Sequence, residues 1–312
     1  MDRRRSRTAV VSSIAMLLLP LACGEDRQDD TAPRPLEDDV ITVGSFDFDE
    51  SMLVAEIYSQ ALEAKGFEVQ RAFSLGPREF LGPALRSGLV EFVPEYAGTA
   101  LDFISLGEAD PSDDVAGTHA QLQAVLRGSG IRVLDAAPAQ NANVFVVTRA
   151  TAGEHDLQRL SDLIPLAEEM TFGGPPECAS RRLCLGGLRD VYDVRFGEVL
   201  TLDASGPLTR QALDGSHIDV GLMFSTDPAL AGGEYVVLED DHNLQPAENI
   251  TPLVRAEVVE RWGNECTDVI DAVSARLTSA TMQRLNVRIS DDAGPDAMQR
   301  VAADWLQSEG LT

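Results

Sequence analysis

VITVGSFDFDESMLVAEIYSQALEAKGFEVQRAFSLGPREFLGPALRSGLVEFVPEYAGTAL, residues 40–101, alternates strand-like and helix-like runs. Ile41-Thr42-Val43 is a β-prone run closed by Gly44-Ser45. Asp49 is placed to cap a helix whose apolar residues Leu53, Val54, Ile57, Ala61 and Leu62 recur at helical spacing. Gly66 suits its stop. Phe67 to Arg71 alternates as a second strand. A second helix carries Phe80, Leu81, Ala84 and Leu85 and stops near Gly88, and Leu89 to Val93 reads as a third strand. Strands alternating with helices predict an α/β fold with a parallel sheet. Ligands of open α/β sheets bind at the carboxyl ends of the strands. Ser45, Phe46 and Tyr96 are expected there.

The N-terminus reads as an export segment. Arg3, Arg4, Arg5 and Arg7 are basic, and Thr8 to Leu21 is an apolar run too short to span a bilayer comfortably. It ends in Leu19-Pro20-Leu21-Ala22-Cys23, which resembles a bacterial lipoprotein processing site. The expected organisation is a lipoprotein signal peptide at 1–22, with Cys23 as the acylated N-terminus. The alternative is an ordinary signal peptide cleaved nearby. Both export the protein, and acyl chains on Cys23 would hold it to a membrane surface. Residues 23–39 are polar, rich in Asp, Glu and Pro, and read as a flexible tether.

What remains is long enough for two lobes. Val144 to Thr148, Ile218 to Met223 and Tyr235 to Leu238 read as strands. Ser161-Asp162 reads as the cap of a helix through Leu163 and Leu166, and Leu188 to Tyr192 as the start of another. Thr171-Phe172 leads into the turn Gly173-Gly174-Pro175-Pro176. This order predicts lobe I from 40–143 plus 238–312 and lobe II from 144–237. Two crossings between them make a hinge, with the ligand cleft between the lobes.

The formal net charge of -26, from 51 acidic against 25 basic residues, argues against nucleic acid as a partner. In an exported chain, Cys178 and Cys184 are close enough to form a local disulfide holding Arg181 and Arg182 between them; two free thiols are the alternative. Cys266 is left over and is expected to be buried on a helix. The cysteines have no second C-x-x-C pair and no histidines at ligand spacing, so no metal site is expected. There is no G-x-S-x-G elbow and no H-E-x-x-H pair. His119, His155, His217 and His242 are scattered in polar contexts. No catalytic role is expected.

Ordered pieces along the mature chain carry a resemblance. They are I-T-V-G-S, L-E-A-K-G-F-E-V, P-E-Y-A-G-T-A-L, F-G-G-P-P-E-C-A-S-R with G-L-R-D-V-Y, M-F-S-T-D-P, V-V-L-E-D-D and T-P-L-V-R. The chain resembles the substrate-binding proteins of ABC importers for glycine betaine, choline and related quaternary ammonium osmolytes. The resemblance implies a two-lobe type II periplasmic-binding fold and delivery of the solute to a permease driven by a separate ATPase. It also implies a monomer without cofactor. Tyr96 matches an aromatic wall of the family's cation cage, Thr99 a hydrogen-bonding threonine, and Arg181 the arginine that clamps the ligand carboxylate. Phe224 keeps a ring where the family has an aromatic residue.

The chain also departs from the pattern. Phe46 stands where lysine is frequent, and Asn143 and Glu248 stand where tyrosines are usual. Phe46 is expected to replace one wall, and Glu248 to meet a cation by charge. Glycine betaine or choline is therefore the family expectation. A polyamine, an amino acid derivative or an uncharged polar solute is the alternative that these departures motivate.

Overall fold

The computed structural model describes residues 39–291 and 296–312. The expected signal peptide at 1–22, the acylated Cys23 and the tether up to residue 38 lie outside the described residues. Among the described residues no helix is long and apolar enough to cross a membrane.

The first part of the chain runs β1 (Val40–Gly44), α1 (Asp49–Ala64), β2 (Glu68–Ala72), α2 (Arg78–Ser87), β3 (Phe92–Tyr96), α3 (Ala97–Ile104), α4 (Val115–Val125) and β4 (Ile131–Val133). The middle part runs β5 (Asn143–Thr148), α5 (Arg149–His155), β6 (Thr171–Gly174), α6 (Leu185–Tyr192), β7 (Glu198–Thr201), α7 (Pro207–Asp214), β8 (Val220–Phe224) and β9 (Tyr235–Val237). The chain then returns through β10 (Ile250–Arg255), α8 (Ala256–Ser274), α9 (Ser279–Asp291) and α10 (Ala297–Glu309). Two five-stranded sheets result, in the orders β2-β1-β3-β10-β4 and β7-β6-β8-β5-β9.

Neither sheet is purely parallel, which corrects the expectation from the local pattern. β1 pairs parallel with β2 and β3, but β10 enters antiparallel between β3 and β4. In the second sheet β5 lies antiparallel to both β8 and β9. β3 also sits three residues later than expected. Leu89 is spent on a turn, its N–H bonding to the Ala84 carbonyl after the left-handed Gly88. The strand then runs through Pro94, which is opposed by Pro252 of β10. Neither proline has an N–H to give. Both are tolerated because the other ladders stop short of them: β1 meets β3 only at Val43↔Phe92, and β4 meets β10 from Leu253 onward.

Other local expectations shift for readable reasons. The cap position of α1 is Phe48, with no side-chain cap, and Asp49 and Glu50 fill the first turn, where acidic residues favour the helix dipole. The expected helix after Ser161-Asp162 is two short 3₁₀ turns, Leu160–Leu163 and Ala167–Glu169. Pro165 between them rules out a continuous helix. α6 ends at Tyr192 rather than starting near Leu188.

The core of the first lobe joins Leu53, Val54, Ile57 and Tyr58 of α1 to Val43, Phe92, Val254 and Trp305. Cys266 is buried in it on α8, as expected. In the second lobe β5 alternates: Phe145 and Val147 face one cluster with Phe172 and Leu222, while Val146 faces another with Leu213 and Met223. The chain passes between the sheets twice, after β4 and after β9. Gln140 and Asn249 pair where the two crossings run side by side.

Candidate functional site

The ends of β1, β3 and β8 deliver aromatic rings to one place. Tyr96 is the last residue of β3, Phe46 follows β1, Phe48 opens α1, and Phe224 ends β8 in the other sheet. Ring centroids lie 5.7 Å apart for Phe46 and Phe48, 6.3 Å for Phe46 and Tyr96, and 5.9 Å for Phe48 and Tyr96. Phe48 meets Phe224 across the lobes at 4.9 Å. Four rings thus line one cavity, and an aromatic ring attracts a cation that has no N–H to donate. Phe48 was not expected here. Its only signal in the sequence is the F-x-F spacing in S-F-D-F-D, directly after the first strand.

The same cavity is lined by Thr99, Asn143, Arg181 and Glu248 as well as Phe46, Tyr96 and Phe224, so the structure brings together every residue expected at the ligand site. Asn143 opens β5 and pairs with Phe224 in register. Arg181 sits in the loop between the 3₁₀ turn Pro176–Ala179 and α6, and a disulfide between Cys178 and Cys184 closes that loop. Its backbone is held closely. The Arg181 carbonyl accepts from the Gly186 amide at 3.1 Å, and a Cβ on Gly186 would stand 2.8 Å from the same oxygen. Glycine is what lets α6 start against this loop.

The Arg181 guanidinium reaches across the cleft to Glu79 at 2.9 Å, while its Nε is buried and has no hydrogen-bond partner among the described residues. Beside it, Arg182 bonds Asp102 at 3.0 Å and the Gly107 carbonyl, again across the lobes.

Glu248 lines the cavity, but its oxygens are engaged. They accept from the amides of Gly98 (3.1 Å) and Thr99 (2.8 Å) at the start of α3, and from the Thr99 hydroxyl. Gly98 makes this possible, because a Cβ there would stand 2.9 Å from the Ala247 carbonyl. The carboxyl group caps a helix as well as facing the cleft, so its oxygens are engaged by the protein itself, against the expectation that it meets a cation by charge. Burial pushes its carboxyl up to about 8, against the pull of Arg78 and the Thr99 donors and with a push from Glu95. The folded form therefore holds a proton that the unfolded chain, titrating near 4.5, releases. Stability from this group is complete below about pH 4.5 and is lost as pH rises through about 8. Burial raises the Glu50 carboxyl too, adding the same sign. The melting temperature is expected to fall as pH rises from 5 to 8, and Glu248→Gln to flatten that slope. An equal slope in both proteins contradicts this account.

Behind the rings lies a buried carboxylate that the sequence did not disclose. Glu50 accepts hydrogen bonds from the Tyr96 hydroxyl (3.1 Å), the Asn141 amide (2.7 Å), the Thr226 hydroxyl (2.5 Å) and the Asn286 amide (2.6 Å). These donors come from the end of β3, from the first crossing, from the loop after β8 in the second lobe and from α9. Burial, then the Glu50 charge, pushes the Tyr96 hydroxyl well above its ordinary range, so it stays a donor. Arg78 also lines the cavity unannounced. The readable oddity was an arginine where a helix starts, a position that disfavours positive charge.

The family model for the substrate-binding domain of the ABC-type glycine betaine transport system matches residues 39–308. A glycine-betaine-binding protein of Pseudomonas aeruginosa is 28% identical over 284 residues, covering 88% of this chain and 89% of that protein. The glycine betaine-binding protein YehZ of Escherichia coli is 26% identical over 291 residues, covering 87% and 91%. The crystal structure of a glycine betaine/carnitine/choline ABC transporter protein superposes with a TM-score of 0.67 at 22% identity, covering 87% of this chain and 99% of that one, which shows the shared two-lobe fold.

Proposed function

The chain belongs to the family of substrate-binding domains of ABC-type glycine betaine transport systems, extracytoplasmic proteins that bind small solutes and work with a permease and an ATPase, and we propose that its interlobe cavity holds a quaternary ammonium solute, glycine betaine first among them. The observation that carries this reading is the convergence of Phe46, Phe48, Tyr96 and Phe224 with Arg181 on one cavity between the lobes. The rings receive the trimethylammonium group, each worth about 0.5–2 kcal/mol. Arg181 lines the cavity with Nη2 paired to Glu79 and Nη1 without a hydrogen-bond partner among the described residues, and it receives the carboxylate. Cys23 carries the lipid that keeps the receptor at the membrane surface, and the protein acts as a monomer without catalysing a reaction. Choline is the second solute in this reading. The departure at Glu248 favours a solute with ammonium N–H donors, although its engagement with Gly98 and Thr99 weighs against that.

Isothermal titration of the folded protein with glycine betaine, choline, carnitine and proline betaine tests the assignment. Saturable heat with at least one is expected. Silence with all four, together with thermal stabilisation by a polyamine, removes it.

A further inference from the structure

Among the polar groups of the cleft, Arg78 keeps a donor uncommitted. It is the first residue of α2, only 5% exposed, and lines the same cavity as the aromatic rings. Its fork is mostly committed. Nε and Nη2 bond Glu95 at 2.9 and 2.8 Å, and Nη2 also bonds the Thr99 hydroxyl at 3.0 Å. Nη1 has no hydrogen-bond partner among the described residues and is not sealed from the cavity. The guanidinium carbon lies 5.1 Å from the Phe46 ring centroid, so the group is braced on an aromatic face as well as pinned by Glu95. Such a guanidinium is preorganised: its position does not depend on a solute to order it.

We infer that Arg78 is a specificity-determining residue, which offers Nη1 from the first lobe to the anionic end of the solute while Arg181 offers its own nitrogen from the second. The inference rests on the quaternary ammonium reading and narrows it to zwitterions: betaines carrying a carboxylate are held, and choline is discriminated against. The chemistry is asymmetric. A carboxylate accepts from both guanidinium groups at once and so ties the two lobes through one ligand. The hydroxyl oxygen of choline can accept from one guanidinium, but it brings no negative charge and does not bridge both as a carboxylate does, so a donor of the site is left short of an acceptor. A site built around two such donors rejects an analogue that pairs only one of them by far more than a change of size does.

The neighbouring charges are consistent with a single anionic ligand group. Glu95 is the partner that holds Arg78, Glu248 is turned to the start of α3, and Glu79 is paired with Arg181. Nη1 of Arg78 is left free by all three.

The test is the ratio of glycine betaine to choline affinity by titration calorimetry. Arg78→Gln alone would strand the Glu95 carboxylate, so the informative variant is Arg78→Gln with Glu95→Gln, checked for fold by its melting curve. The wild type is expected to prefer glycine betaine by about 100-fold or more. The double variant should lose at least tenfold for glycine betaine and stay within about threefold for choline. Arg78→Lys, which keeps the charge but not the fork, should restore part of the preference. Equal losses for both ligands, or a wild type indifferent between them, overturn the role of Arg78 while leaving the quaternary ammonium reading intact. A wild type that binds neither overturns that reading, and this inference with it.

Discussion

Glu50→Ala is expected to lower the melting temperature by roughly 10 °C. The substitution removes the acceptor for the Tyr96 and Thr226 hydroxyls and the Asn141 and Asn286 amides. A buried donor left without a partner costs about 1–3 kcal/mol, so four of them cost about 4 kcal/mol even when some find substitutes. For a chain of this size each kcal/mol moves the midpoint by roughly 2–4 °C. Glu50→Gln keeps the shape but replaces one acceptor oxygen by an N–H₂, set either against Asn141 and Tyr96 or against Asn286 and Thr226, so it should also destabilise, by less. Because Thr226 belongs to the second lobe and Asn141 to a crossing, both variants should also weaken solute binding. A thermal denaturation series by circular dichroism decides. An unchanged midpoint in Glu50→Ala would show that these donors are satisfied elsewhere.

Tyr96→Ala is expected to reduce affinity for glycine betaine by about 30-fold or more. The lost cation–π contact accounts for about 0.5–2 kcal/mol, the uncovered apolar contact adds a similar amount, and each 1.4 kcal/mol is a factor of ten. Tyr96→Phe separates the ring from the hydroxyl. It keeps the face toward the cavity and deletes one donor to Glu50, so affinity should stay within about threefold while the melting temperature drops by a few degrees. If the two variants bind equally poorly, the hydroxyl rather than the face holds the solute.

The strand–helix rhythm of residues 40–101 was legible because each element carries its own apolar period and its own glycine stop. The antiparallel entry of β10 was not, because nothing local to residues 250–255 says that they return to a sheet begun two hundred residues earlier. β3 was misplaced because Pro94 reads as a strand breaker, and its tolerance depends on where two neighbouring ladders stop.

At the cavity, Tyr96, Thr99 and Arg181 were readable as members of a spaced pattern, and they do line one cavity with Phe46, Asn143, Phe224 and Glu248. Phe48 and Arg78 were missed for a common reason. Each sits at the mouth of a helix, where sequence patterns predict caps rather than ligand contacts. Glu50 was hidden because a carboxylate in the first turn of a helix is ordinarily a solvated residue favoured by the dipole. Its burial is decided by Asn141, Thr226 and Asn286, none of them near it in the chain.

The ion pairs bridging the lobes, Arg181 with Glu79 and Arg182 with Asp102, keep partial contact with water, with side chains 16–52% accessible. Mobile ions therefore reach them: at 0.15 M salt, charges beyond about 8 Å are screened, and exposed pairs are worth about 0–1 kcal/mol. Concentrated electrolyte should loosen the empty clamshell first, while a loaded one stays shut on its buried contacts. The contrast in shape between empty and loaded receptor should thus sharpen as ionic strength rises, and small-angle scattering at low and high salt, with and without betaine, would register it.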